Sequence, residues 1–217
     1  MNRQEVAKVI DYTLLKPEAK QTQIQALCED ALELEVLAVC VSPTFVEYAK
    51  SIVGDSILVA TVCGFPSGKH QSSIKAMEAA LAVQQGADEV DMVIDVGQAL
   101  SDNWSIVESD IATVRMAVPD AILKVIIESA LLSDVQIEKT CSAAKSAGAD
   151  FVKTSTGFHP AGGASISAVK RMREVVGDSI GVKASGGIKS PEFALELIKA
   201  GASRLGLSDA RSVLDAL

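Results

Sequence analysis

Short runs of strand-forming residues alternate with longer segments of helical periodicity along the whole 217-residue chain. Strands are predicted at 8–14, 36–41, 57–63, 89–95, 122–128, 151–156, 180–185 and 204–207. Helices are predicted at 21–34, 43–52, 70–85, 101–117, 133–147, 164–176 and 191–200, and the tail after Ser208 is a candidate eighth helix. This alternation predicts an α/β fold with a parallel sheet, and eight strands are the number that closes a (β/α)8 TIM barrel.

A doubly wound open sheet is the structural alternative, but no strand is followed by the GxGxxG turn typical of that fold. No Pro/Ser-rich linker divides the chain, so residues 1–217 are predicted to form one barrel domain. The composition is 48% apolar with only 4% aromatic residues. A core of Val, Ile, Leu and Ala follows, as in other buried parallel sheets.

A repeated turn predicts which side of the sheet several polar residues face. The sequences GADEVD at 86–91, GADFVK at 148–153 and GASRLG at 201–206 share one pattern, so Asp91, Lys153 and Gly206 occupy the same strand phase. Alternate residues of a barrel strand point into the interior. The residues predicted to face inward are Asp91, Val93, Asp95, Lys153, Ser155, Gly157, Lys183 and Ser185.

Charge and cysteine usage restrict the classes of partner. The net charge is −8 and no Lys/Arg cluster occurs, which argues against nucleic acid. No apolar run reaches the 18 or more residues of a membrane span. The four cysteines have no paired spacing, which favours free thiols in a reducing cytoplasm. An anionic substrate is not excluded, because a binding site needs only local donors.

The prediction of a nucleophilic amine depends on two inward-facing lysines, Lys153 and Lys183, on neighbouring strands. Burial and mutual repulsion of Lys153 and Lys183 disfavour the ammonium form, so one of them should have a lowered pKa. A neutral amine is the nucleophile that attacks a carbonyl carbon, and Asp91 would serve as its acid/base partner. The alternative is a buried structural ion pair. Lys124 and Glu128 are predicted as a second inward pair, with a structural role or hydrogen bonds near the site.

The motifs KTSTGF, GADEVDMVI, KASGGI, IDYTLLKP and LKVIIE occur in order between Asp11 and Ser208. Together they resemble the deoxyribose-phosphate aldolase family, class I aldolases on a (β/α)8 barrel. The resemblance implies reversible cleavage of 2-deoxy-D-ribose 5-phosphate to acetaldehyde and D-glyceraldehyde 3-phosphate, with no metal and no cofactor. The chain has only His70 and His159, which do not form a ligand-spaced cluster.

The resemblance also implies residue roles. Lys153 would form the Schiff base, Lys183 would lower its pKa, and Asp91 would act as acid and base through water. Asp11 and Thr13 would hold the substrate, and Cys40 would lie beside the pocket without a catalytic role. The substrate-binding set is completed by Thr156, Gly157, Gly186, Gly187, Ile188, Gly206 and Ser208. A homodimer is expected by analogy with similar barrels.

Three positions depart from the family pattern: Tyr12 replaces a histidine, Asp95 stands where asparagine is common, and Asp209 replaces a serine at the phosphate end. Asp209 either repels a phosphate or turns away to cap the last helix. Three other functions remain as alternatives. They are an acetaldehyde-dependent aldolase with an altered or non-phosphorylated acceptor, a different lysine-dependent aldolase or transaldolase on the same barrel, and a non-catalytic barrel that binds a metabolite.

Overall fold

The computed structural model describes all 217 residues, and the eight predicted strands pair in one parallel ring. The strands are β1 Ile10–Leu14, β2 Ala38–Val41, β3 Leu58–Cys63, β4 Glu89–Val93, β5 Ile122–Ile126, β6 Phe151–Lys153, β7 Gly181–Ser185 and β8 Arg204–Leu207. Each strand pairs with its chain neighbour, and β8 pairs with β1. The predicted TIM barrel is therefore confirmed over the open sheet.

Ten α-helices surround or flank this ring. They are α1 Arg3–Ala7, α2 Gln21–Leu34, α3 Val46–Val53, α4 Ser72–Gln84, α5 Val96–Leu100, α6 Trp104–Ala117, α7 Asp134–Ser146, α8 Ile166–Val176, α9 Pro191–Lys199 and α10 Ala210–Leu214. Helices α1 and α5, of five residues each, are absent from the prediction. No helix has both the length and the apolar character needed to cross a bilayer.

The three repeated turns precede β4, β6 and β8 and link each of these strands to the strand before it. The glycines of the three turns have left-handed backbones, with φ of 107° at Gly86, 83° at Gly148 and 117° at Gly201. The Asp88 carboxylate accepts from Val59 N at 2.8 Å, and Asp150 accepts equivalently from Leu123 N at 2.8 Å. The repeat therefore ends a helix and fixes the next strand against its neighbour.

The apolar core lies between the sheet and the helices, and the barrel interior is largely polar. Val90, Met92 and Ile94 belong to a 54-residue apolar cluster on the helix side, as the strand phase predicts. The apolar cluster inside the ring has four buried members, Leu15, Cys40, Ala60 and Val62. The remaining interior of the barrel is available for ionised side chains.

Candidate active site

Three lysines converge on the carboxylate of Asp91 inside the barrel. Lys124 Nζ donates to Asp91 Oδ1 at 2.7 Å. Lys153 Nζ and Lys183 Nζ both donate to the other oxygen, Oδ2, at 2.7 Å. The strand register produces this meeting, because Lys153 pairs with Lys183 across β6 and β7, and Asp91 pairs with Lys124 across β4 and β5.

Arg204 and Glu89 extend the cluster on the side away from Lys153. The Arg204 guanidinium contacts both Glu89 oxygens at 2.9 and 3.1 Å and Asp11 Oδ1 at 2.6 Å. Lys124 Nζ also lies 2.7 Å from Glu89 Oε2, and Lys183 pairs with Asp11 Oδ2. The buried network of ion pairs therefore connects Asp11 on β1 with Glu89 on β4 through Arg204 on β8.

Neither Glu89 nor Arg204 was predicted as a member of the site, although the sequence carries a signal for both. Glu89 precedes Asp91 by two residues, and Arg204 precedes Gly206 by two, so both share the inward strand phase. Continuing the two-residue alternation of inward-facing positions back to the start of each strand would have identified Glu89 and Arg204.

The cluster contains four cations and three carboxylates, so its charges do not balance when every group is ionised. Its members are Lys124, Lys153, Lys183, Arg204, Asp11, Glu89 and Asp91. Lys183 contacts two carboxylates, those of Asp11 and Asp91, whereas Lys153 contacts Asp91 alone. Lys153 is thus the least compensated cation, and loss of its proton would bring the cluster to neutrality.

The two paired lysines have pKa values shifted in opposite directions. Burial lowers the pKa of the Lys153 amine, and repulsion from Lys183 adds to this against the attraction of Asp91. Burial also acts to lower the pKa of Lys183, but Asp11 and Asp91 outweigh it and raise that pKa above its usual value. The expectation that one lysine is neutralised therefore points to Lys153, with Lys183 remaining an ammonium.

A cavity of about 820 Å³ opens onto this cluster at the carboxyl ends of the strands. Lys153 is the one member of the charged cluster that lines the cavity. Its side chain is 3% exposed, whereas those of Lys124 and Lys183 are fully buried. A carbonyl compound in the cavity could therefore be attacked by Lys153 and by no other amine of the cluster.

Most of the predicted substrate-binding residues line the same cavity: Thr13, Thr156, Gly157, Gly186, Gly187, Ile188, Gly206 and Ser208. Asp11 and Cys40 do not line it. Asp11 is buried in the ionic cluster, where it pairs with Lys183, and it does not reach the cavity. Cys40 is buried within the small interior apolar cluster, and burial raises the pKa of its thiol.

The end of the cavity near β7 and β8 presents backbone donors. Gly186 and Gly187 have left-handed φ values of 86° and 77°. The N–H groups of Gly186, Gly187, Ile188 and Ser208 donate to no protein acceptor. Successive free N–H groups of this kind form an anion-binding concavity. Lys16 and Lys189 also line this cavity, and both are exposed.

Asp209 turns away from the cavity and caps the last helix. Its carboxylate accepts from Ser212 N at 3.0 Å and from Ser212 Oγ at 2.7 Å, at the start of α10. Of the two readings of this residue, the structure shows the helix cap. Tyr12 lines the cavity, and burial together with the Asp30 carboxylate raises the pKa of its phenol to about 12.

The predicted orientation of Asp95 is wrong. Asp95 does not face into the barrel: it lies beyond the end of β4, caps α5 through Gln98 N and pairs with Lys69 at 2.6 Å. The predicted pairing of Glu128 with Lys124 is also wrong, but the predicted hydrogen bonds near the site are present. Glu128 accepts from the N–H of Thr156 and from Thr156 Oγ1, the latter at 3.1 Å, and Thr156 lines the cavity. Both residues follow the last paired residue of a strand, where the two-residue alternation ends.

Comparison with known proteins gives a consistent result. The sequence model of DeoC/LacD family aldolases matches residues 6–213. The chain is 56% identical to deoxyribose-phosphate aldolase of Kocuria rhizophila, over 100% of this chain and 99% of the relative. It is 58% identical to the enzyme of that name from Nocardia farcinica, over 98% and 95%. The solved deoxyribose phosphate aldolase of Aeropyrum pernix superimposes with a TM-score of 0.91 at 31% identity, over 99% of this chain and 91% of that one.

Proposed function

Because the chain belongs to the DeoC/LacD family of aldolases, we propose that it reversibly cleaves 2-deoxy-D-ribose 5-phosphate to acetaldehyde and D-glyceraldehyde 3-phosphate. It is a lyase of the class I type, in which an enzyme amine forms a Schiff base with the substrate. The observation that carries the proposal is the position of Lys153, the one cavity-lining amine of the cluster and the one with a lowered pKa.

The neutral Lys153 amine attacks C1 of the open-chain substrate and forms a carbinolamine. Loss of water then gives an iminium ion, which accepts the electron pair of the C2–C3 bond when that bond breaks. The C3 hydroxyl loses its proton, C3 leaves as the aldehyde of glyceraldehyde 3-phosphate, and C1 and C2 remain on Lys153 as an enamine. Protonation at C2 and addition of water release acetaldehyde and restore the amine.

Asp91 and Lys183 supply the proton transfers and the electrostatic setting. Burial acts to raise the pKa of Asp91, but Lys124, Lys153 and Lys183 hold it well below its usual range. Asp91 is therefore ionised at neutral pH, and its Oδ2 atom lies 2.7 Å from Lys153 Nζ. It acts on the substrate through Lys153 or through water, since its own side chain is completely buried.

The free N–H groups at Gly186, Gly187 and Ile188 fit the phosphate end of the substrate, and Asp209 does not oppose it there. We place the reaction in the cytoplasm, because all four cysteines are buried and unpaired, as in proteins of reducing compartments. The expected homodimer stays a prediction, which sedimentation velocity measurements would check.

Reductive trapping tests the proposal directly. The protein is incubated with acetaldehyde, reduced with borohydride and digested, and the modified residue is located by mass spectrometry. We expect a two-carbon adduct on Lys153 and none in Lys153→Met. Lys75→Met is the matched control, since Lys75 is also completely buried but pairs with Asp110 among the helices. An adduct absent from Lys153 in the native protein would contradict the Schiff-base mechanism.

A further inference from the structure

Ser185 carries a buried hydroxyl without a hydrogen-bond partner. The residue is 6% exposed, and its Oγ atom contacts no protein donor or acceptor. Buried hydroxyls in folded proteins are almost always paired, because leaving one unpaired costs about 1–3 kcal/mol. Two other buried hydroxyls, those of Ser129 and Thr140, are also unpaired, but of the three residues only Ser185 lines the cavity next to Lys153.

The position of Ser185 identifies the part of the site that this partner occupies. Ser185 ends β7 in the same inward phase as Lys183, and it lines the cavity together with Lys153. The next residue, Gly186, begins the run of free N–H groups. Ser185 thus lines the same cavity as Lys153 and directly precedes the run of free N–H groups.

The surrounding chain holds the Ser185 backbone in place, and the hydroxyl oxygen lies against Gly206. Its carbonyl oxygen accepts from Thr154 Oγ1 at 3.2 Å and from Ser155 Oγ at 2.6 Å, and its N–H donates to Thr154 Oγ1 at 3.0 Å. Its register partner across β8 is Gly206. A Cβ on Gly206 would collide with Ser185 Oγ, so the glycine is needed for the hydroxyl to keep this position.

We propose that Ser185 Oγ hydrogen-bonds the hydroxyl on C4 of 2-deoxyribose 5-phosphate, which is the C2 hydroxyl of glyceraldehyde 3-phosphate. The proposal rests on the function given above, which places C1 on Lys153 and the phosphate at Gly186–Ile188. The C3 hydroxyl gives up its proton during cleavage and must face the charged cluster. The C4 hydroxyl is next to the phosphate-bearing carbon, just as Ser185 is next to Gly186. Ser185 is thus a specificity-determining residue for the acceptor aldehyde.

The test compares acceptors in the synthetic direction. Acetaldehyde is the donor, and the acceptors are D-glyceraldehyde 3-phosphate, 3-phosphooxypropanal, which lacks only the C2 hydroxyl, and D-glyceraldehyde, which lacks only the phosphate. The native protein should prefer the first acceptor over the second in kcat/KM. In Ser185→Ala we expect kcat/KM for glyceraldehyde 3-phosphate to fall about 10- to 100-fold and that preference to decline toward one.

Two further measurements separate this role from a structural one. The rate of borohydride-trapped acetaldehyde adduct on Lys153 should be the same in Ser185→Ala and the native protein, since acetaldehyde has no corresponding hydroxyl. Thermal stability should be unchanged or higher in the variant, because the hydroxyl removed has no partner. The matched control is Ser155→Ala, which removes a neighbouring buried hydroxyl that donates to Ser185 O. It should lower the melting temperature and keep the acceptor preference.

An unchanged preference between the first two acceptors in Ser185→Ala would overturn the proposal. A change confined to the preference for phosphorylated over unphosphorylated glyceraldehyde would also overturn it, since Ser185 would then contact the phosphate. Failure of the proposed function is distinguishable, because it appears as a missing Lys153 adduct in the native protein.

Discussion

At the scale of single residues, the difference between Lys153 and Lys183 comes from their partners and not from their depth. Both are buried and both contact Asp91 Oδ2 at 2.7 Å. Lys183 has a second carboxylate, Asp11, and Lys153 has none. One extra anion is enough to keep Lys183 charged, and its charge then helps to remove the proton from Lys153. Two chemically identical side chains thereby have pKa values shifted in opposite directions.

The first residue-scale prediction concerns Lys183→Met. Because the pKa of Lys153 is lowered by burial and by Lys183, the neutral fraction of its amine rises as pH increases through that lowered pKa. Removing the Lys183 charge lets the Lys153 pKa rise, so less neutral amine is present at pH 7. We expect trapping of acetaldehyde on Lys153 to slow about 10-fold or more at neutral pH and to recover at alkaline pH.

The measurement is the rate of borohydride-trapped adduct between about pH 6 and pH 10. Lys75→Met again serves as the control, since it removes a buried lysine that does not contact the Asp91 cluster. It should reduce stability and leave the pH profile in place. If the profile of Lys183→Met coincides with that of the native protein, Lys183 does not tune Lys153.

At the scale of structural elements, the loops that follow the strands form the part of the site where the substrate phosphate is proposed to bind. The carboxyl ends of β7 and β8 lead into residues whose N–H groups have no protein partner, and the left-handed backbones of Gly186 and Gly187 place them in series. Asp209, which sequence comparison with the family pattern marks as unfavourable, belongs instead to the start of α10. A short helix placed directly after β8 uses the carboxylate as its cap.

The element-scale prediction is that substitutions of Asp209 lower the stability of the protein and leave its substrate preference unchanged. Asp209→Ala removes the cap of α10 and should lower the free energy of unfolding by about 1 kcal/mol. Asp209→Ser keeps a capping hydroxyl and should cost less. In both variants the ratio of kcat/KM for deoxyribose 5-phosphate over deoxyribose should stay near the native value. A several-fold increase of that ratio in both variants would show that Asp209 does repel the phosphate.

At the scale of the whole molecule, the ionic cluster lies in the barrel interior, and the closed ring of eight strands surrounds it. Seven charged side chains from six strands are held there, and the aliphatic core outside the ring supplies the apolar burial. Burying ions costs free energy unless each is paired. The cation with the fewest partners, Lys153, is the group that the proposed reaction uses, so activity and stability make opposite demands at this position.

The whole-molecule prediction compares Lys153→Met with Lys124→Met in chemical denaturation at pH 7. The folded protein lowers the pKa of Lys153 relative to an unfolded value of ~10.4, so below about pH 10.4 the unfolded chain binds this proton more tightly and Lys153 destabilises the fold. We expect Lys153→Met to abolish activity with an unfolding free energy equal to or above the native value. Lys124→Met should lose about 3 kcal/mol, because Glu89 and Asp91 each lose a partner at 2.7 Å.

Both free energies come from the midpoints and slopes of urea unfolding curves followed by circular dichroism. Equal losses of stability in the two variants would contradict the view that Lys153 is the poorly compensated member of the cluster. A native-like spectrum in both variants before denaturation is the required control.

The sequence by itself determined the barrel, its eight strands and the inward direction of Asp91, Lys153 and Lys183, because the alternation of faces along a strand is a local property. That reasoning failed at Asp95 and Glu128, where the strands have ended and loop geometry replaces the alternation.

Only the tertiary structure decided which lysine lacks a second carboxylate, since Asp11 and Lys183 are 172 residues apart in the chain and meet through closure of the ring. It also decided that the hydroxyl of Ser185 is free. A missing partner becomes visible only when every neighbour of the atom has been placed.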